Sequence, residues 1–103
     1  MSILIRGDIQ GDICNVSVSG ELDISNADKL KEKTHSLLDK EIKDVVFDLT
    51  NLDYIDSTGL GVMIGVLKRL KLQEKNVHIK NPKDNVRKIF TITGLDKIFI
   101  MEG

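Results

Sequence analysis

A serine and a threonine follow an aspartate in the segment Asp53-Tyr54-Ile55-Asp56-Ser57-Thr58-Gly59-Leu60-Gly61, which lies between an apolar run and a stretch of helical periodicity. The first turn of a helix presents N–H groups that lack an intrahelical partner, and its partial positive charge stabilises an anion. A phosphate on Ser57 would bring nearly two negative charges there. Gly59 and Gly61 allow a protein surface to approach the backbone closely. These residue types suit a serine that an incoming kinase can reach.

The same residues have a purely structural interpretation. Asp56 or Ser57 can cap the helix that follows, and the glycines can serve close packing. The spacing of Gly61 and Gly65 indicates tight contact between this helix and a sheet rather than dimerisation. The residues alone leave both interpretations open.

A second acidic segment, Gly20-Glu21-Leu22-Asp23, ends a predicted strand and precedes a predicted helix. Such loops gather at one edge of a parallel sheet, so Asp23 and Ser57 can be neighbours. The alternative is a solvated turn in which the Asp23 side chain makes a local hydrogen bond to the backbone.

Hydrophobic periodicity predicts the order β β α β α β α β. Gly11 suits a tight hairpin turn between the first two strands, and Ser25 suits a helix cap with Asp28 three residues on. Alternating strands and helices imply parallel pairing through crossover helices, which gives a small mixed α/β sheet with three helices. The predicted strands cover 2–9, 12–19, 45–49, 77–79 and 98–100. The first predicted helix begins after Ser25, and the other two cover 57–73 and 83–92. Gly94 is the predicted C-terminal stop of the last helix.

Composition narrows the function classes. The chain has 103 residues, which fits a single domain over 1–103, and its 15 basic and 16 acidic residues give a net charge of −1. A nucleic-acid binder would carry a strong basic excess. A single cysteine excludes an intramolecular disulfide and a multi-cysteine metal site. The start has no signal-peptide pattern, and the longest apolar run, Val62–Leu67, is far too short to cross a membrane. We expect a cytoplasmic protein without a cofactor or metal.

Two other functions remain as alternatives. An enzyme with a nucleophile triad needs a histidine and an acid converging on a serine or cysteine, but His35, His78 and Cys14 have no local motif partner. A phospho-acceptor receiver domain would use Asp48 with magnesium. It would also need an acidic pair after the first strand, and Arg6-Gly7-Asp8 has none.

Three segments together resemble the signatures of bacterial anti-sigma factor antagonists of the STAS domain family. The resemblance covers almost the whole chain, in the family order and with similar spacing. The segments are Val18-Ser19-Gly20-Glu21-Leu22-Asp23, then Val46-Phe47-Asp48-Leu49 through Asp56-Ser57-Thr58-Gly59-Leu60-Gly61, and finally Gly94-Leu95-Asp96-Lys97-Ile98-Phe99.

The resemblance implies a mixed sheet with helices mainly on one face. It implies that Ser57 matches the phosphorylated serine, while Thr58 is the secondary acceptor because the family's usual acceptor directly follows the aspartate. It implies that Asp23 lies beside the serine. The docking surface that it implies comprises Asp23, Asp56, Ser57, Thr58, Gly59 and Gly61.

The function implied by the resemblance is a partner switch. The unmodified protein, expected to be a monomer, would bind an anti-sigma factor that is also a serine kinase, and would thereby release the sigma factor. The kinase, which itself holds ATP and magnesium, would phosphorylate Ser57 and end binding, and a serine phosphatase would restore it. The alternative within the same fold is a scaffold component of a larger sensory complex.

Overall fold

The computed structural model describes residues 2–103. Six strands and three helices follow each other as β β α β β α β α β, with a short 3₁₀ turn at Leu95–Lys97 before the last strand. The strands are β1 (Ile3–Gln10), β2 (Ile13–Leu22), β3 (Asp44–Asp48), β4 (Leu52–Ile55), β5 (Val77–Lys80) and β6 (Ile100–Glu102). The helices are α1 (Ala27–Lys40), α2 (Ser57–Lys71) and α3 (Asp84–Ile92).

The chain opens with an antiparallel hairpin in which Ile3 pairs with Gly20 and Gln10 with Ile13. Gly11 occupies the turn with φ of 58°, a left-handed conformation that glycine adopts without a steric penalty. The hairpin and the role of Gly11 are therefore confirmed.

The remaining strands are parallel, and the sheet order is β1-β2-β3-β5-β6. The long strand β2 pairs with β3 along its first half and with β4 along its second half. Because β4 leads directly into α2, this second pairing fixes where α2 begins relative to the end of β2. The predicted mixed α/β sheet is confirmed.

Alternation along β2 separates the two faces of the sheet. Cys14, Val16 and Val18 are at most 1% exposed, whereas the residues between them are half-buried. The buried face receives the helices, with α1 contributing the predicted stripe Ala27, Leu30, Thr34, Leu37 and Leu38. The helices therefore cover mainly one face, as expected.

Strands β4 and β6 differ from the sequence prediction. The strand β4 was not predicted from the sequence. Its buried and exposed residues do not alternate, and its pairing with β2 is what defines it as a strand. The last strand begins at Ile100 rather than at 98, since Phe99 turns inward against Phe90 with ring centroids 5.6 Å apart. Gly94 ends α3 as predicted, with φ of 76°. Within residues 2–103, no helix is long and apolar enough to span a bilayer.

Candidate functional site

Asp56 is the N-cap of α2, and both of its carboxylate oxygens are used. Its Oδ1 accepts hydrogen bonds from the backbone N–H groups of Thr58 (2.9 Å) and Gly59 (3.0 Å). Its Oδ2 accepts from the N–H of Ile24 (3.2 Å), in the loop between β2 and α1. The capping interpretation therefore holds for Asp56, and the same carboxylate joins that loop to the start of α2.

This cap changes the expectation that the helix N-terminus is open to an anion. Two of the free N–H groups in the first turn of α2 already bond Asp56, so a phosphate on Ser57 would meet a carboxylate rather than two unpaired donors. Ser57 is the first residue of α2 and is exposed, and its hydroxyl has no hydrogen-bond partner within residues 2–103. Thr58 is exposed as well.

Asp23 lies in the loop that Asp56 holds. Its Oδ1 accepts from the backbone N–H (2.9 Å) and the hydroxyl of Ser25. The hydroxyl bond is the main reason that the pKa of Asp23 is lowered from its ordinary value, so the carboxylate is charged at neutral pH. Asp23 thus makes the local turn given above as an alternative, and through Ile24 it is also attached to the residue that precedes Ser57.

The predicted Ser25 cap on α1 is wrong, because Ser25 bonds Asp23 and α1 begins after Asn26. Asn26 is 4% exposed and was missed by the sequence analysis. Its Oδ1 accepts from the N–H of Asp23 (3.0 Å), and its Nδ2 donates to the carbonyl of Glu21 (2.8 Å). An asparagine directly before a helical stripe signals the N-cap position, but the Asn26 side chain makes no capping hydrogen bond and bonds the loop instead.

The three glycines of α2 have different roles. Gly59, expected on the exposed docking surface, is buried, and a Cβ there would lie 2.7 Å from two side-chain atoms of Leu22. Gly61 and Gly65 are exposed, and a Cβ at either would meet nothing within 4 Å. The predicted tight contact of Gly61 and Gly65 with the sheet is therefore wrong. Both glycines line an open groove of about 300 Å³ between α1 and α2, which Thr58 also lines.

The residues considered for other chemistry have structural partners. The carboxylate of Asp48 accepts from the N–H (3.0 Å) and hydroxyl (2.6 Å) of Thr50 in the turn after β3. Cys14 is buried, which raises the pKa of its thiol. In the described part of the chain, no three His, Cys, Asp or Glu side chains are grouped so that they could hold a metal ion.

The two histidines also contact charged groups rather than a nucleophile. The Nδ1 atom of His35 lies 2.9 Å from a guanidinium nitrogen of Arg69, and burial together with that charge lowers the pKa of His35. His78 lies between Asp44 (3.5 Å) and Glu102 (3.4 Å), its neighbours on the flanking strands.

The family model described as the STAS domain matches residues 5–102. The chain belongs to the STAS domain family. The anti-sigma-B factor antagonist of Staphylococcus epidermidis is 36% identical over 104 residues, covering 100% of this chain and 96% of that protein.

Solved structures agree with this membership. An anti-sigma factor antagonist from Mycobacterium paratuberculosis superposes with a TM-score of 0.89 at 26% identity, over 98% of this chain and 86% of the other. The Bacillus cell fate determinant SpoIIAA in its phosphorylated form shares the fold, with a TM-score of 0.76 at 19% identity over 95% and 90% of the two chains. The resemblance to anti-sigma factor antagonists drawn from the sequence is confirmed, and the receiver-domain alternative is set aside with it.

Proposed function

We propose that this protein is an anti-sigma factor antagonist controlled by phosphorylation of Ser57. Its unphosphorylated form binds an anti-sigma factor in the cytoplasm, and that binding releases the sigma factor. The proposal is supported by the similarity to the anti-sigma-B factor antagonist of Staphylococcus epidermidis, which spans 100% of this chain. It assigns the protein a binding role rather than a catalytic one.

The observation that carries the proposal is the state of the Ser57 hydroxyl. It is exposed at the first position of α2 and is not engaged by any group in residues 2–103, whereas the neighbouring Asp56 carboxylate is fully engaged. A serine kept for capping would bond the N–H groups of the first turn. Because Asp56 already does so, Ser57 is free to act as a phosphoacceptor, and Thr58 is the secondary candidate.

The electrostatics around Ser57 favour a switch by charge. Asp56 precedes Ser57 directly, and the loop that carries the ionised Asp23 is attached to Asp56. A phosphate on Ser57 would add nearly two negative charges beside these carboxylates. Its like charge, bulk and desolvation cost would all oppose formation of the interface. A loss of about 3–4 kcal/mol weakens binding several hundred-fold, which is enough to switch a regulator without a shape change.

The partner in this scheme is an anti-sigma factor that is also a serine kinase, and ATP and magnesium belong to that kinase. Phosphorylation of Ser57 ends binding and returns the sigma factor to inhibition. A serine phosphatase restores the binding form. The surface that meets the kinase comprises Asp23, Ser57, Thr58 and Gly61. The half-buried Asp56 and the buried Gly59 lie beneath that surface and hold it in place.

Affinity capture from the organism's own lysate tests the scheme, using wild-type, Ser57→Ala, Ser57→Asp and Thr58→Ala baits. We expect the wild type, Ser57→Ala and Thr58→Ala to retain an ATP-binding serine kinase, and Ser57→Asp to lose it. Incubation of the purified kinase with ATP should phosphorylate the wild type and Thr58→Ala but not Ser57→Ala. Equal retention of the same stable assembly by all four baits would instead support the scaffold function.

A further inference from the structure

Ile24 is a large apolar residue with an exposed side chain, in a loop whose backbone bonds Asp56, the residue before Ser57. It is 79% exposed, in a loop whose other residues, Asp23, Ser25 and Asn26, are all polar. It does not belong to the hydrophobic core, nor to the partly buried side chains that pack against the core. Single exposed apolar residues are common. Ile24 differs from these because side chains fix the backbone on both sides of it through hydrogen bonds.

Three consecutive backbone N–H groups around Ile24 are each bonded by a side chain. The N–H of Asp23 donates to Asn26, that of Ile24 to Asp56, and that of Ser25 to Asp23, at 3.0, 3.2 and 2.9 Å. Asn26 is itself buried and bonded to the chain at Glu21. The loop is therefore fixed before any partner arrives, so binding through it costs little ordering entropy.

The Ile24 loop is physically continuous with the start of α2. The carboxylate that receives the N–H of Ile24 is the same one that caps α2 immediately before Ser57. A protein that reaches the Ser57 hydroxyl with a nucleotide phosphate must cover the surroundings of Asp56. Ile24 bonds Asp56 through its backbone N–H, and its exposed side chain is available for burial by such a protein.

We propose that Ile24 is the apolar contact by which this protein selects its anti-sigma factor, inserting into an apolar depression beside the site that presents ATP to Ser57. This inference rests on the proposed function and adds to it a specificity-determining residue outside the serine segment. Charge repulsion at Ser57 provides the switch, and burial of Ile24 provides affinity for the correct partner. Burial of an apolar side chain of this size in such a depression contributes to affinity through the hydrophobic effect.

The test uses the purified anti-sigma factor kinase and four forms of this protein: wild type, Ile24→Ser, Ile24→Val and Leu72→Ser. Leu72 is the matched control, since it is 83% exposed and follows Lys71 at the far end of α2. Along the axis of that 15-residue helix it lies about 22 Å from Ser57, at 1.5 Å per residue. Affinity, kcat/KM for Ser57 phosphorylation and Tm are measured for each form.

We expect Ile24→Ser to lower the affinity and kcat/KM by about tenfold or more, the range of a buried apolar contact. Ile24→Val should retain most of both, Leu72→Ser should match the wild type, and every Tm should agree within a few degrees. Wild-type affinity in Ile24→Ser, or an equal loss in Leu72→Ser, would overturn the proposal. So would a loss that follows a fall in Tm, because Ile24 would then be structural. A wild type that binds no anti-sigma factor would refute the proposed function itself, and this inference with it.

Discussion

Two substitutions of Asp56 distinguish its capping hydrogen bonds from its hydrogen bond to the Ile24 loop. Asp56→Ala removes all three hydrogen bonds, those from Thr58, Gly59 and Ile24. Asp56→Asn keeps one oxygen, which can still cap α2, but it replaces the oxygen that faces Ile24 with an NH₂ group. A donor then faces the donor N–H of Ile24, so the cap and the link cannot both be satisfied.

The expected losses of stability follow from the hydrogen bonds that each substitution removes. Loss of an N-cap side chain costs about 1 kcal/mol, and loss of a further backbone hydrogen bond costs about another 1 kcal/mol. For a domain of this size, each kcal/mol lowers Tm by about 4–8 °C. We therefore expect a fall of about 8–16 °C for Asp56→Ala and about half of that for Asp56→Asn. Ser57→Ala is the control, because its exposed, unbonded hydroxyl should change stability by no more than about 0.5 kcal/mol.

Thermal unfolding followed by circular dichroism gives the three Tm values, and amide hydrogen exchange of Ile24 reports the link directly. Asp56→Asn should expose that amide to exchange while the first turn of α2 stays protected. If Asp56→Asn keeps both the wild-type Tm and the protected Ile24 amide, the Oδ2 bond does not hold the loop, and the attachment of Asp23 and Ile24 to the serine segment is refuted.

Three further predictions test separate parts of the structure. Gly59→Ala should destabilise by about 1–3 kcal/mol because its Cβ meets a core leucine of β2, whereas Gly65→Ala, which meets nothing, should stabilise by up to about 1 kcal/mol; denaturant unfolding compares them. Ser25→Ala should raise the pKa of Asp23 in an NMR titration. Because that pKa is lowered on folding, its stabilising contribution is present above the ordinary Asp value and fades as pH falls through the lowered value, so Ser25→Ala should be less acid-sensitive than the wild type. Cys14, 1% exposed and with a raised thiol pKa, should react with thiol reagents only after unfolding, and rapid reaction in the native state would contradict its burial.

The elements that the sequence predicted well are those with a full period of buried side chains. The stripe of α1 and the alternation of β2 each repeat several times, so the pattern determines both the type of element and its buried face. The turn at Gly11 and the helix end at Gly94 were equally predictable, because a left-handed backbone conformation favours glycine. The resemblance of the three segments then identified the family, while its assignment of Ser57 as the phosphoacceptor stays a prediction.

The missed features depend on contacts between distant parts of the chain. The strand β4 exists because its four residues pair with the end of β2, and nothing within Leu52–Ile55 shows this. Asp56 is identifiable as a cap, but its second bond to Ile24 crosses 32 positions. The contrast between Gly59 and Gly65 likewise depends on Leu22, which lies on another element. Local pattern therefore predicted the framework, while the connections that position Ser57 needed the structure.

In the proposed switch, these connections would let a charge on Ser57 act without a change of shape. An open helix N-terminus would shelter a phosphate, because its free N–H groups would bond the added oxygens and offset the charge. Here Asp56 occupies two of those groups, and its own negative charge remains next to Ser57. The pKa of Asp23 is lowered, so a second carboxylate in the attached loop is ionised as well. A phosphate on Ser57 would therefore remain exposed on the proposed docking surface, where its charge would repel the proposed partner. By holding α2 and the loop together, Asp56 would keep that surface unchanged when the proposed phosphorylation changes the charge on Ser57.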